Sequence, residues 1–352
     1  MKSSSPTRVY LGIDTGGTYT DGVLLDPQKQ AILKSVKVLT THSNLTECIE
    51  KVIDHLTQAV PVQIELVALS TTLATNAIAE GKRKPVALFL LGYDPTLVEK
   101  FNFTDQFATR SYFFLPGKHN LQGVEEQPLN PLAISGAIQQ SQNDVDAFAV
   151  VSYAGPMNSN HEEQAGAMIY QTTGLPVVQA HHLSNDLDSI RRATTASLNA
   201  SLLANTSEFL DAVTSMMERY QIHCPVMMVR GDGSIVQASY ARRRPVEIVH
   251  SGPATSAIGG QYLSGKDHAL VVDIGGTTTD LTLVENGRAL IFNQAATVNG
   301  FRTCIRTVKS HSFGLGGDSH IEFDHWRHLS IGPRRVVPIS RLCAEYPEVK
   351  AD

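Results

Sequence analysis

The stretch Asp14-Thr15-Gly16-Gly17-Thr18-Tyr19-Thr20-Asp21 returns in the last third of the chain as Asp273-Ile274-Gly275-Gly276-Thr277-Thr278-Thr279-Asp280. Only Thr15 and Tyr19 are changed between the two copies. An apolar run leads into each copy and a second apolar run follows it, so each copy predicts a strand, a Gly-Gly-Thr turn and a second strand. Two such hairpins in one chain predict two related domains that face one ligand.

The chemistry of these turns predicts a phosphate ligand. Glycine has no Cβ, so paired glycines allow positive φ and bring backbone N–H groups close to an anion, and successive N–H groups form a concave nest for phosphate oxygens. Thr18 and Thr277 add hydroxyl donors. Because a carboxylate would repel phosphate, Asp14 and Asp273 are expected to act through Mg²⁺ and its water shell. One copy alone is also typical of an ordinary hairpin, and the duplication favours the binding site.

Length and composition agree with a two-domain protein, since 352 residues exceed a single typical core. The net charge of −5 offers no basic face, so no nucleic-acid partner is expected. The four cysteines form no C-x-x-C pair, which argues against zinc and disulfides and favours a reducing, cytoplasmic location. The apolar runs are too short for a bilayer and the N-terminus lacks a signal-peptide core, so no membrane partner is expected.

The rest of the chain predicts alternating strands and helices. Ser43 is expected to cap the first helix. Residues 92–132, rich in Phe, Asn and Pro, are interpreted as an irregular insertion. Residues 185–220 predict two helices or one bent helix with a polar centre. That centre either packs against a neighbour or borders a substrate cleft through Arg191, Arg192, Thr194 and Asn199.

Further stretches, in order along the chain, resemble the hydantoinase A/5-oxoprolinase family, within the superfold of actin, the heat-shock ATPases and the acetate and sugar kinases. These stretches are Ser70-Thr71-Thr72-Leu73-Ala74-Thr75-Asn76-Ala77, Arg191 to Leu203, Arg230-Gly231-Asp232-Gly233, Ser251-Gly252-Pro253-Ala254 and Phe313-Gly314-Leu315-Gly316-Gly317-Asp318-Ser319. The resemblance runs from about residue 9 to about residue 335. Ser70 replaces the family's usual glycine, and Asp318 stands where the family more often has glycine.

The resemblance implies an α/β fold of two ribonuclease-H-like domains, each a mixed sheet flanked by helices, with a nucleotide cleft between them. Residues 1–183 would form a hydantoinase/oxoprolinase-type N-terminal domain with the first phosphate hairpin. Residues 184–352 would form a hydantoinase A-type domain with the second hairpin. Family members continue well past residue 335, so this second domain is expected to be truncated at its C-terminus.

The resemblance also implies an ATP-dependent hydrolase that opens a cyclic amide of the hydantoin or 5-oxoproline type, or the ATP-binding A subunit of such an enzyme. Phosphorylation of the amide oxygen would remove the amide resonance and let water attack the carbon. The catalytic acids would be Asp14, Asp21, Asp273 and Asp280, with Asp14 and Asp273 holding Mg²⁺ mainly through water. The ATP contacts would come from Gly16, Gly17, Thr18, Gly275, Gly276, Thr277, and, at the nucleoside, Gly314, Gly316 and Gly317.

A hydantoinase B-type subunit and a homo-oligomer are the protein partners that the resemblance suggests. Two other functions stay open at this point. A small-molecule kinase of the same superfold would release a stable phosphorylated product, and a non-catalytic nucleotide-binding regulator or reactivating chaperone would turn ATP over slowly without a substrate.

Overall fold

The computed structural model describes residues 7–41, 45–58, 62–292 and 296–351. Ser43, the expected helix cap, lies outside these residues. The strands are β1 (Thr7–Thr15), β2 (Tyr19–Asp26), β3 (Ala31–Leu39), β4 (Val62–Thr71), β5 (Val86–Leu91), β6 (Ser111–Leu115), β7 (Lys118–His119), β8 (Glu125–Gln127), β9 (Ala147–Ser152), β10 (Val177–Gln179), β11 (Val226–Val229), β12 (Ile235–Gln237), β13 (Ala269–Ile274), β14 (Thr279–Glu285), β15 (Arg288–Ala289), β16 (Thr297–Val298), β17 (Phe301–Arg302), β18 (Ser310–Phe313), β19 (Ser319–Phe323) and β20 (Leu329–Arg335).

The α-helices are α1 (Leu45–Thr57), α2 (Leu73–Ala79), α3 (Pro95–Lys100), α4 (Pro131–Ser141), α5 (Asn160–Thr173), α6 (Ser189–Arg219), α7 (Ala238–Arg243), α8 (Ser251–Ser264) and α9 (Ile339–Glu345). Short 3-10 segments cover Phe103–Gln106, Ala180–His182, Pro245–Ile248 and Pro347–Ala351. None of the helices in these described ranges is both long and apolar enough to cross a bilayer. All four cysteines are free thiols.

The first sheet has six strands in the order β12-β11-β4-β1-β2-β3. Strand β1 pairs antiparallel with β2 and parallel with β4, and β4 pairs parallel with β11. Alternate residues of β1, Val9, Leu11 and Ile13, are buried against the apolar stripe of α1, as a half-buried strand requires. This sheet carries the first Gly-Gly-Thr turn between β1 and β2.

The second sheet, β10-β9-β5-β6, has all its strands parallel and helices on both faces. Strands β5 and β9 are buried along their whole length, as expected for strands covered on two sides. One face packs on α6, and the other packs on α4 and α5. The interpretation of residues 92–132 as an irregular insertion is wrong for β6, because Ser111–Leu115 forms an edge strand paired with β5.

Helix α6 is a single helix of 31 residues, so the alternative of two helices is not what the chain forms. Its small residues Ala193, Ala196 and Ala200 face the second sheet, and its larger apolar residues face the first. The polar centre makes internal contacts. The Asn199 amide donates to the Arg243 carbonyl at 3.0 Å and accepts from the Val246 amide at 3.1 Å. The structure therefore favours the packing alternative at Asn199.

A buried ion pair joins α5 to α6. Glu162 and Arg192 are both inaccessible to solvent, with Arg192 Nη1 3.7 Å from Glu162 Oε1. Glu162 also accepts from the backbone amides of Ser152 and His181, each at 2.8 Å. Arg192 Nη1 donates to the Ser152 carbonyl at 2.9 Å. Arg192 therefore holds α6 against the end of β9, a structural role, and the carboxylate is fully enclosed by donors.

The third sheet carries the second Gly-Gly-Thr turn. Strand β14 pairs with β13 on one side and with β15 and β18 on the other. Helix α8 covers one face, where Val271 methyl groups lie so close to Gly260 that an added Cβ would meet them at 3.0 Å.

The predicted boundary at residues 183/184 stays a prediction. Strands β11 and β12 follow that boundary along the chain, yet they complete the sheet built from β1 to β4.

Candidate functional site

The first turn closes a regular hairpin. Asp14 pairs with Asp21 across β1 and β2, and the Gly16 amide donates to the Tyr19 carbonyl at 2.9 Å. The expectation of positive φ is wrong here, since neither Gly16 nor Gly17 lies in that region. Glycine is required at residue 16 by space, because an added Cβ would lie 2.9 Å from the Tyr19 oxygen.

The second turn repeats this geometry. Asp273 pairs with Asp280, and the Gly275 amide donates to the Thr278 carbonyl at 2.8 Å. Gly275 and Gly276 also lie outside the positive-φ region. The duplicated octapeptide therefore encodes the same turn twice.

The two turns meet. A Cβ added to Gly276 would lie 2.7 Å from Thr18 Oγ1, so the second turn packs directly against the side chain of the first. Within the described ranges, the amides of Gly17, Thr18, Gly276 and Thr277 have no hydrogen-bond acceptor. Free backbone N–H groups on two facing turns are suitable donors for a phosphate chain.

The predicted acids gather beside the turns. Burial raises the pKa of the Asp14 carboxyl above its ordinary value of 3.8, and the charges of Asp21 and Asp273 raise it further against an opposing hydrogen bond with Ser70. Burial likewise raises the pKa of Asp280, with Asp273 adding to the effect. The charges of Asp21 and Asp273 therefore act on Asp14, and the charge of Asp273 also acts on Asp280, which links the four predicted acids.

This acidic group has the chemistry of a cation site. Asp14 Oδ1 is buried and has no hydrogen-bond partner within the described residues, an arrangement that a bound cation would relieve. Among the described residues, no group of three or more His, Cys, Asp or Glu side chains is arranged to hold a metal ion directly. Mg²⁺ that keeps most of its water shell is compatible with both observations. The role of Asp14 and Asp273 in holding it stays a prediction.

Sequence reasoning missed two residues of α8 and its cap. Ser256 donates to Asp273 Oδ2. His250, at a left-handed φ of 62°, caps α8, and burial lowers its pKa against the opposing charge of Asp280. Only the resemblance of the adjacent Ser251-Gly252-Pro253-Ala254 turn to the family signalled this region.

The start of α8 is fixed to the end of β4. Ser251 Oγ donates to the Thr71 carbonyl at 3.1 Å and accepts from the Thr71 amide at 3.3 Å. Ser70 Oγ donates to Ser251 Oγ at 3.2 Å. These bonds hold α8, which carries Ser256, against the end of β4, the neighbour of the strand that carries Asp14.

The predicted nucleoside loop binds the second turn. The Gly317 amide donates to the Gly275 carbonyl at 3.0 Å, and the Asp318 amide donates to the Gly276 carbonyl at 2.9 Å. A Cβ on Gly316 would lie 2.3 Å from the Gly276 oxygen, which explains the glycine there. The loop therefore supports a phosphate turn, and nucleoside contact by Gly314, Gly316 and Gly317 stays a prediction.

An open cleft of about 740 Å³ lies beside the first turn. Its lining residues are Gly17, Thr18, Tyr19, Leu39, Thr40, Asp318, Arg334, Arg335, Val336, Val337, Pro338 and Arg341. The cleft is therefore lined both by arginines and by two residues, Gly17 and Thr18, whose backbone amides have no acceptor among the described residues.

We expect Gly276→Ala to weaken Mg·ATP binding by about tenfold to a hundredfold, the cost of displacing one hydrogen bond to a charged phosphate. The added methyl group would collide with Thr18 and push the turns apart. Isothermal titration calorimetry measures the affinity. Gly259→Ala is the matched control, because its Cβ meets nothing within 4 Å. Equal affinities for the two variants would show that contact between the turns is irrelevant to binding.

In the absence of metal and nucleotide, we expect the melting temperature of Asp14→Asn to increase relative to that of the wild type as the pH rises from about 4 to 7. The raised pKa means that folded Asp14 holds its proton more tightly than unfolded Asp14. The proton on Asp14 therefore stabilises the folded wild type below the unfolded pKa of 3.8, and this stabilisation is lost as the pH rises through the raised pKa of the folded state. Differential scanning fluorimetry across this range tests the sign. A difference in melting temperature that stays constant with pH would contradict it.

Comparison with known proteins identifies two matching sequence regions. Residues 10–173 match the hydantoinase/oxoprolinase N-terminal region, and residues 192–343 match the hydantoinase/oxoprolinase family. The alpha subunit of caprolactamase from Pseudomonas jessenii is 27% identical over 359 residues, covering 94% of this chain and 51% of that protein. An uncharacterized protein of Methanocaldococcus jannaschii is 24% identical, covering 92% of this chain and 52% of its own length. The chain spans about half the length of the curated relatives it matches.

Two solved structures share the fold. Nucleotide-free acetone carboxylase superposes with a TM-score of 0.77 at 18% identity, covering 93% of this chain and 51% of that one. The ATP-dependent caprolactamase of Pseudomonas jessenii superposes with a TM-score of 0.75 at 23% identity, covering 94% of this chain and 51% of that one. The fold is therefore the mixed α/β fold of these enzymes, of the actin-like ATPase type that the sequence predicted.

Proposed function

The chain belongs to the hydantoinase/oxoprolinase family, and from this premise we propose that it is the ATP-binding A subunit of an ATP-dependent hydrolase that opens a cyclic amide. One observation carries the proposal. Two Gly-Gly-Thr turns in contact present four backbone amides that have no acceptor among the described residues, and the buried Asp14 Oδ1 likewise has no partner among them.

The reaction would overcome the resonance of the amide. The amide oxygen attacks the γ-phosphorus, and the bond to ADP breaks. Water adds to the ring carbon, and the C–N bond then breaks, its electron pair and a proton going to nitrogen. A second water cleaves the acyl phosphate to carboxylate and inorganic phosphate. The phosphoryl transfer depends mainly on positioning and charge neutralisation, which is what a protein of this kind can supply.

Each turn would supply part of that stabilisation. The amides of Gly17 and Thr18 would bind one part of the phosphate chain, and those of Gly276 and Thr277 would bind another. Asp14 and Asp273 would hold Mg²⁺ through its waters, and the ion would neutralise charge on the phosphates. Ser256 would orient Asp273 through its hydrogen bond. Asp21 and Asp280 would orient the attacking group.

A second subunit fits this proposal. The relative from Pseudomonas jessenii is named as the alpha subunit of its caprolactamase. We propose a B-type subunit as the partner of this chain, with a cyclic amide of the lactam, hydantoin or 5-oxoproline class as substrate.

Calorimetry with Mg·ATP and a phosphate-release assay across a panel of cyclic amides test the proposal. We expect Mg·ATP to bind, and phosphate and ADP to appear only with a ring-opening substrate, in the presence of the B-type subunit where one is required. No heat of binding at millimolar Mg·ATP would contradict the proposal. A phosphorylated product that accumulates would indicate a kinase instead, and slow turnover independent of any cyclic amide would indicate a nucleotide-binding regulator.

A further inference from the structure

Three arginines, Arg334, Arg335 and Arg341, line the cleft beside the first turn. Asp318 is the single acid among its lining residues. The same cleft is lined by Gly17 and Thr18, whose amides lack acceptors within the described residues. Cationic side chains and free N–H groups that line one cleft together provide the donors of an anion site.

Arg335 has a structural partner. Its guanidinium donates through Nε to Asp318 Oδ2 at 2.8 Å, and Nη2 contacts the same oxygen. The carboxylate of Asp318 is nearly buried, and its backbone amide donates to Gly276. Arg335 therefore connects the end of β20, through Asp318, to the second phosphate turn. Arg334 and Arg341 are the two lining arginines that are left to bind a ligand.

Arg334 and Arg341 are free to bind. Arg334 is exposed, and its side chain has no hydrogen bond or ion pair with any described residue. Among the described residues, the Arg341 side chain forms an ion pair with Glu345 alone, at 2.8 Å and one helical turn away. Both partners of that pair are about half exposed. An exposed i,i+4 pair contributes little stability, so an anion could take Arg341 at small cost.

We propose that Arg334 and Arg341 bind the phosphate chain of the nucleotide in the cleft that they line together with the first turn. This inference rests on the proposed function and adds to it a pair of residues outside both glycine turns. The ligand class is a polyphosphate, recognised by the two guanidinium groups together with the Gly17 and Thr18 amides.

Calorimetry with Mg·ATP, inorganic tripolyphosphate and adenosine tests the inference. We expect Arg334→Ala and Arg341→Ala each to weaken both polyphosphate ligands about tenfold, the usual effect of losing one charge-assisted contact. The arm with tripolyphosphate separates phosphate binding from nucleoside binding, and adenosine affinity should not change. Arg288→Ala is the matched control, because Arg288 is exposed at the far end of β14 from the turn.

The outcomes separate this inference from the proposed function. Wild-type affinity for Mg·ATP in both arginine variants would overturn the inference and leave the proposed function intact. Weakened adenosine binding, with tripolyphosphate unaffected, would also overturn it. Failure of the wild type to bind either polyphosphate would overturn both. Because both side chains are exposed, the variants should keep the wild-type melting temperature, and Arg334→Lys should retain part of the affinity.

Discussion

Substitution Asp14→Asn is expected to lower nucleotide-dependent phosphate release by about a hundredfold to a thousandfold, the usual effect of removing one charge-stabilising group from a preorganised site. Asp14 Oδ1 is buried and has no hydrogen-bond partner among the described residues, and the neighbouring acids concentrate negative charge around it. An amide of the same shape removes the charge that would hold a cation. A malachite-green assay with the responsive cyclic amide measures the loss, and Asp273→Asn should behave alike.

Asp105→Asn is the control for this experiment, because Asp105 is exposed and belongs to the 3-10 segment Phe103–Gln106, outside both hairpins. Its turnover should equal that of the wild type. A stability measurement separates a loss of turnover from a loss of folding. Asp14→Asn removes a buried charge, so the variant should stay folded. Turnover that survives in both Asp14→Asn and Asp273→Asn would remove these carboxylates from the mechanism.

Substitution Glu162→Ala is expected to lower the free energy of unfolding by about 3–5 kcal/mol, because it leaves the buried Arg192 without its counter-charge. The backbone amides of Ser152 and His181 would lose their acceptor at the same time. Urea denaturation monitored by circular dichroism measures the change.

The adjacent Glu163 provides a matched control. Its side chain is 57% exposed and lies 3.9 Å from His181 Nε2, so Glu163→Ala should change the unfolding free energy by at most about 1 kcal/mol. Glu162→Gln keeps the shape and should lie between the two. If Glu162→Ala costs no more than Glu163→Ala, the buried pair does not stabilise the junction of α5 and α6.

The sequence could predict the hairpins because their signals are local. Each turn and its flanking strands lie within a short run of alternating residues, and the duplication makes the pattern specific. The reason for the glycines could not be predicted. Both a positive φ and a lack of space favour glycine, and the contacts of Gly16 with Tyr19 and of Gly276 with Thr18 show that space decides at these two positions.

Features that depend on distant partners escaped prediction. Strand β6 is a run of aromatic residues, which favour strands, but it shows no alternation, and its pairing with β5 depends on a partner distant in sequence. Ser256 and Arg334 reach the site only through the position of α8 and the path of β20. Neither position carries a motif of its own, so spacing along the chain gave no signal for them.

The pairing of β11 with β4 places a constraint on biosynthesis. On the ribosome, β1 to β4 emerge early, but the neighbour of β4 emerges only after α6 has been translated. Until then β4 offers an unpaired backbone edge, the kind of surface on which nascent chains aggregate. A translation product that stops near residue 183 would keep this edge permanently, so we expect chaperone capture of the unfinished chain at this edge to end only when β11, which finishes at Val229, has left the exit tunnel.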